Sequence, residues 1–170
     1  MLISEEEAKS LTSKILALSK ADSATVTLSG NERANVRFAN NTATTNGFLE
    51  ELSVSIESNF GKRSGTARTS QLDAASLEAA VRKSEEIAHL APENSEFMPP
   101  LGRQEYLKSS AYSESTAATG PGKLASFFAP VIAEAVEKKV TAAGFLDSGA
   151  TVAAIATSNG LFVYEKSTAL

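Results

Sequence analysis

The chain of 170 residues carries 16 Lys and Arg against 20 Asp and Glu, a net charge of −4, and 42% of it is hydrophobic, enough for one globular domain with its own core. Having no cysteine excludes a disulfide framework, a thiol nucleophile and any thiolate-held metal, and the single histidine, His89, excludes a site that needs two imidazoles. The acidic start is unlike a signal peptide, no run of about 18 apolar residues occurs, and the arginines are scattered, so a cytoplasmic protein with no membrane and no nucleic-acid partner is expected.

Ser4 and Glu7 have the spacing of a capping box, and Ala8, Leu11, Ile15 and Leu18 recur at helical intervals, which predicts a helix over 5–19. Strands are expected across 24–69. Val26 and Leu28 alternate with threonines, Gly30-Asn31 reads as punctuation, and Ala34, Val36 and Phe38 alternate again. Asn40-Asn41 suits a turn. Further on, Leu52, Val54 and Ile56 face in while Glu51, Ser53, Ser55 and Glu57 face out, and a small-residue strand over 63–69 returns past Gly61, with Gly65 marking a bulge or a close backbone approach.

Asp73 is placed to cap a helix over 74–90, whose apolar stripe runs through Leu77, Ala80, Val81 and Ala88. Residues 92–120 are poor in aliphatic side chains and read as an irregular excursion. A helix over 121–138 starts at Pro121 and holds Pro130, which should kink it. Strands over 140–146, 151–157 and 161–168 follow, the last two joined by Ser158-Asn159-Gly160 as a type I′ hairpin signal. The fold class is therefore α+β, a mixed, mostly antiparallel sheet with helices packed on it. Two readings remain open for the likeness of the chain's halves. Either a helix–strand–strand–strand unit is duplicated, or short strands match by chance, which unlike strand order in the halves would reveal.

No catalytic set emerges from the residues. Glu86 and His89 share a helix face but lack the second copy that a carboxylate-bridged site requires. Gly120-Pro-Gly-Lys123 resembles the end of a phosphate loop, but Ala117 and Leu124 replace the glycine and hydroxyl such a loop needs. Asp22, Asp73 and Asp147 lie beside turns or helix starts, where capping explains them. Tyr106 and Tyr112 suit anchors for the long excursion better than substrate contacts.

The run Val36-Arg-Phe-Ala-Asn40-Asn41, then Arg63-Ser-Gly-Thr-Ala-Arg-Thr69, Leu72-Asp73 and Ser76-Leu77-Glu-Ala-Ala-Val81, then Ala154-Ile-Ala-Thr-Ser-Asn159-Gly160-Leu161, resembles the N-terminal domain of the TldD/PmbA (modulator of DNA gyrase) metallopeptidases. The likeness covers most of the chain. It implies a larger protein whose C-terminal domain holds zinc through a His-Glu-x-x-x-His motif and a cysteine. Neither is present in this chain, so no catalytic, cofactor-binding or metal-binding residue is carried over, and the chain alone is expected to be inactive. The resemblance also implies a second TldD/PmbA-type subunit as partner, in a homo- or heterodimer, and an extended peptide as substrate. Leu52, Val54, Ile56, Arg63 and Gly65 are the expected contributors to a peptide channel or to the subunit interface, with a bulge as the competing role for Gly65. The alternative is a free-standing module that binds a protein partner by strand addition.

Overall fold

The computed structural model describes residues 2–107 and 109–170, so residue 108 of the expected excursion lies outside the described residues. In chain order the elements are α1 (Glu5–Leu18), β1 (Ser23–Ala39), β2 (Thr42–Phe60), β3 (Arg63–Thr69), α2 (Ala74–Leu90), α3 (Glu114–Ala117), α4 (Pro121–Glu137), β4 (Gly144–Thr157) and β5 (Phe162–Ala169). The strands form one five-stranded sheet in the order β3-β2-β1-β4-β5, with every pairing antiparallel.

Alternation along β1 explains the layering. Val26 and Leu28 pack with Val54, Ile56, Val152 and Ala154 against Ala8 and Ile15 of α1 and Leu77 and Val81 of α2. Farther along the same strand, Ala34, Val36 and Phe38 pack against Leu124 and Phe128 of α4, with the two phenylalanine rings stacked 4.7 Å apart. All these β1 residues have even numbers and therefore share one face. The three long helices cover that face, and each fully buried Val, Leu or Ile contributes about 1.5–3 kcal/mol relative to exposure.

Specific contacts set the distances between layers. Gly65 lies on β3 with α2 so near that a Cβ there would collide with the Ala88 nitrogen and the Ser84 carbonyl oxygen. Beside it, the buried hydroxyls of Ser58 and Ser84 bond across at 2.7 Å. The Glu85 carboxylate on α2 accepts from the Lys20 backbone N–H at 2.6 Å and from Arg82 at 2.5 Å, and Arg82 also donates to the Leu18 carbonyl at 2.7 Å. That network ties the end of α1 to α2.

Several expectations need correcting. The strand expected to break at Gly30-Asn31 is continuous, because Gly30 sits mid-sheet opposite Leu52 and Val152, where a Cβ would approach Val152 Cγ1 to 2.6 Å. The strands expected over 140–146 and 151–157 are likewise the single β4, which begins only at Gly144. Gly160 has a left-handed φ of 93° but Asn159 does not, so the hairpin before β5 is not type I′. Its Gly160 N–H donates to Thr157 O, and the Thr157 N–H donates to Leu161 O. The excursion contains the short α3, whereas α4 spans Pro121–Glu137 with Pro130 inside it, within one residue of the expected bounds. Asn40 and Asn41, at φ 50° and 59°, do form the expected tight turn.

The helix–strand–strand part of the suspected repeat occurs twice, as α1-β1-β2 and α4-β4-β5, with β1 and β4 adjacent at the centre. Among the described residues only the first half has a third strand.

Candidate functional site

The face of the sheet opposite the helices takes its residues from the alternate positions of each strand. Ser53 and Ser55 on β2, Thr27 and Ser29 on β1, Thr151 on β4 and Arg68 on β3 all belong to it. Short hydroxyl side chains are common on this face, which packs against no helix, and the exposed Leu49, Phe145 and Ile155 share it. Side-chain bonds lace it together. Arg68 donates to Ser53 Oγ at 2.7 Å, the Thr151 and Ser167 hydroxyls bond at 2.7 Å, and Arg33 reaches Asp147 at 2.6 Å. Asp147 is thus an ion-pair partner inside β4, where a turn cap was expected.

Where β3 stops short beside β2, a concavity of about 940 Å³ opens, lined by Ser29, Asn31, Glu51, Ser53, Arg68 and Thr151 among others. The shortness of β3 has a second consequence. It pairs with β2 only over residues 54–60, so among the described residues no strand covers the outer edge of β2 over 42–53. Thr42, Ala43, Thr44 and Thr45 are exposed along this stretch, as are Phe48 and Leu49. At the opposite end of the sheet, the edge of β5 is guarded. Tyr106 donates to the Phe162 carbonyl, Thr168 N–H donates to Ala111 O, and the Lys166 ammonium lies 4.0 Å from the Tyr112 ring. Both tyrosines are anchors, as expected.

The expected site residues divide. Leu52 is half-buried and lines the concavity, while Val54 and Ile56 are fully buried under α1 and α2 and have no side-chain surface to offer a ligand. Arg63, at the start of β3, is exposed and directed toward the end of α2, 3.4 Å from the His89 carbonyl and 3.7 Å from Glu93. Gly65 is no bulge, since Ser58↔Gly65 falls in an unbroken register, and it is buried under α2. Sequence reasoning passed over the exposed half of β2. Its only local signal was the Asn40-Asn41 turn, after which a strand had to begin at once.

The polar face can hydrogen-bond but offers no activated nucleophile. The His89 ring stacks on Phe60 at 4.0 Å, away from the hydroxyls, and among the described residues no three His, Cys, Asp or Glu side chains gather as metal ligands. The zinc that the family resemblance implies therefore does not fit this chain's own residues. Shifted groups lie elsewhere. Hydrogen bonds from Ser4 and Ser76 lower the Glu7 and Asp73 carboxyls at the helix starts. Burial, then the nearby charges of Glu114 and Glu5, raises the Tyr112 and Tyr164 hydroxyls. None has the pairing with a nucleophile that acid–base catalysis requires.

No family model matches this sequence, and no curated protein does. Solved structures do. TldE from Thermococcus kodakarensis superposes with a TM-score of 0.83 at 15% identity, over 94% of this chain and 36% of that one. Two proteins named as modulators of DNA gyrase also match. The one from Thermotoga maritima gives 0.80 at 15% identity over 94% of this chain and 37% of its own, and the one from Bacteroides thetaiotaomicron gives 0.82 at 18% over 98% and 40%. This chain thus spans well under half the length of each. Its fold is the one found in TldE and the modulators of DNA gyrase, the TldD/PmbA group that its sequence motifs resemble.

Proposed function

We propose that this chain is a non-catalytic domain of a TldD/PmbA-like zinc metallopeptidase, serving subunit pairing and the admission of extended peptide. The observation that carries this reading is a TldE-like fold over nearly the whole chain combined with coverage of only 36% of TldE itself. Chemistry is left to residues outside this sequence, because one stacked histidine and no cysteine supply no zinc site. The Ser- and Thr-rich face suits the wall of a peptide channel, since hydroxyls donate to carbonyls and accept from N–H groups whatever side chains the peptide carries. The edges of the sheet suit pairing. Location in the cytoplasm belongs to the same reading, and no helix among the described residues is long and apolar enough to cross a membrane.

The test is the affinity of the chain for a fluorescent, unfolded casein fragment. Thr27→Arg and Ser55→Arg on the polar face should together weaken binding at least about tenfold without lowering the melting temperature, the effect of occupying the surface that the peptide needs. Scrambling the fragment should matter little. Equal affinity of variant and parent would remove the polar face from the proposal. The open edge of β2 favours a second reading, a free-standing module that binds a protein partner by strand addition.

A further inference from the structure

An open sheet edge invites association, and proteins usually guard one with lysine, proline, a bulge or simple shortness. The edge of β2 has little such protection. Residues 42–49 include no charge and no proline, and residues 45–53 pair with β1 without a register shift, the single irregularity, between Arg37 and Phe38, leaving Thr44 as an extra residue of β2 just before them. Two large apolar side chains stand on this edge strand, Phe48 at 62% exposure on the helix side and Leu49 at 45% on the polar side.

We propose that residues 45–51 of β2 pair antiparallel with the same residues of a second copy of this chain, about a two-fold axis at Phe48. The inference rests on the pairing half of the proposed function and names its surface and register. A two-fold axis normal to the sheet keeps helix face beside helix face, so the register can change only in steps that place a residue opposite itself. With the axis at Phe48, the two phenylalanines meet on the helix side. On the polar side each Leu49 lies against Gly47 of the other copy, which leaves it room. Glu50 meets Asn46 and Glu51 meets Thr45, so no carboxylate faces another. Thr45 is also the β1 partner of Arg37, which puts Arg37 in one row with Glu51 of the second copy, about 10 Å away between Cα atoms and within reach of two long side chains. Neighbouring registers are worse. An axis at Leu49 sets Phe48 against the Glu50 carboxylate, one at Gly47 sets Phe48 against Asn46 and Glu50 against the bulged Thr44, one at Glu50 sets Glu50 against Glu50, and one at Asn46 sets Phe48 against Thr44 and runs the pairing toward the Asn40-Asn41 turn.

Because the chain has no native cysteine, single-cysteine variants report the register directly. Opposed Cα atoms in an antiparallel pair lie about 4.5–5.5 Å apart, inside the range a disulfide spans. The chain should sediment as a dimer. Phe48→Cys should cross-link to itself under mild oxidation, whereas Asn46→Cys and Glu50→Cys should cross-link poorly alone and readily when mixed with each other. Phe48→Lys, which opposes two ammonium groups at the axis, should raise the dimer dissociation constant at least about tenfold with the melting temperature unchanged. A dimer whose strongest self-cross-link lies elsewhere, or which ignores Phe48→Lys, would overturn this surface and leave the pairing reading standing. A chain that stays monomeric would overturn both, and capture of a synthetic extended peptide by that monomer would assign the edge to peptide instead.

Discussion

Gly65 and Glu85 fix the helix layer to the sheet by opposite means, one through the absence of a side chain and the other through the bonds its side chain makes. At Gly65 the obstacle to any substitution is backbone, the Ala88 nitrogen and the Ser84 carbonyl of α2, which cannot swing aside as a side chain can. Gly65→Ala should therefore destabilise the fold by about 2–4 kcal/mol in urea unfolding, and a loss below 1 kcal/mol would show that α2 is free to lift. Glu85 is buried and accepts from both Lys20 and Arg82, so Glu85→Ala should cost about 2 kcal/mol, checked in the same titration. The role of Glu85 was not legible in the sequence, and that of Gly65 was legible only as one of two readings, a bulge or a close backbone approach. A glycine in a small-residue strand reads equally as a bulge, a contact or a wall, and only the placement of α2 decides. By contrast, the capping pairs Ser4 with Glu7 and Asp73 with Ser76 are local and could be read directly.

Local signals served the helices well and the strands unevenly. The helices begin where their caps lie, and the same caps make the fold sensitive to acid. Hydrogen bonds from Ser4 and Ser76 hold the Glu7 and Asp73 carboxyls below their unfolded values. The stability they add is thus complete above about pH 5 and is lost as pH falls through the lower, folded values. The double variant Glu7→Gln, Asp73→Asn should lose less melting temperature between pH 6 and pH 3 than the parent, and an equal loss would assign acid sensitivity elsewhere. Among the strands, Leu52, Val54 and Ile56 alternate as read, but Gly30 and the gap left at 147–150, which holds Gly149, instead lie within continuous strands. At Gly30 the glycine makes room for a side chain of the next strand, and at Gly149 it lets the Glu32 carbonyl come near. Such non-local approaches leave no trace in a window of neighbouring residues.

For the molecule as a whole, short motifs in the right order pointed to the TldD/PmbA fold, and the superpositions agree although identity is only 15–18%. The α+β class followed from periodicity, whereas the sheet order and the uncovered half of β2 did not, because they depend on where β3 ends beside its partner. That sheet has helices on one face and a largely polar other face, and among the described residues no three His, Cys, Asp or Glu side chains gather to hold a metal ion; holding and pairing rather than cutting is the function proposed for it. The most direct test of this claim is one time course, in which a labelled, unfolded casein fragment is mixed with the chain in the presence of zinc and followed by fluorescence anisotropy. The account predicts a rise on mixing that then holds steady, the signature of binding without cleavage. An anisotropy that decays below its starting value as the fragment is cut, or one that never rises, would contradict it.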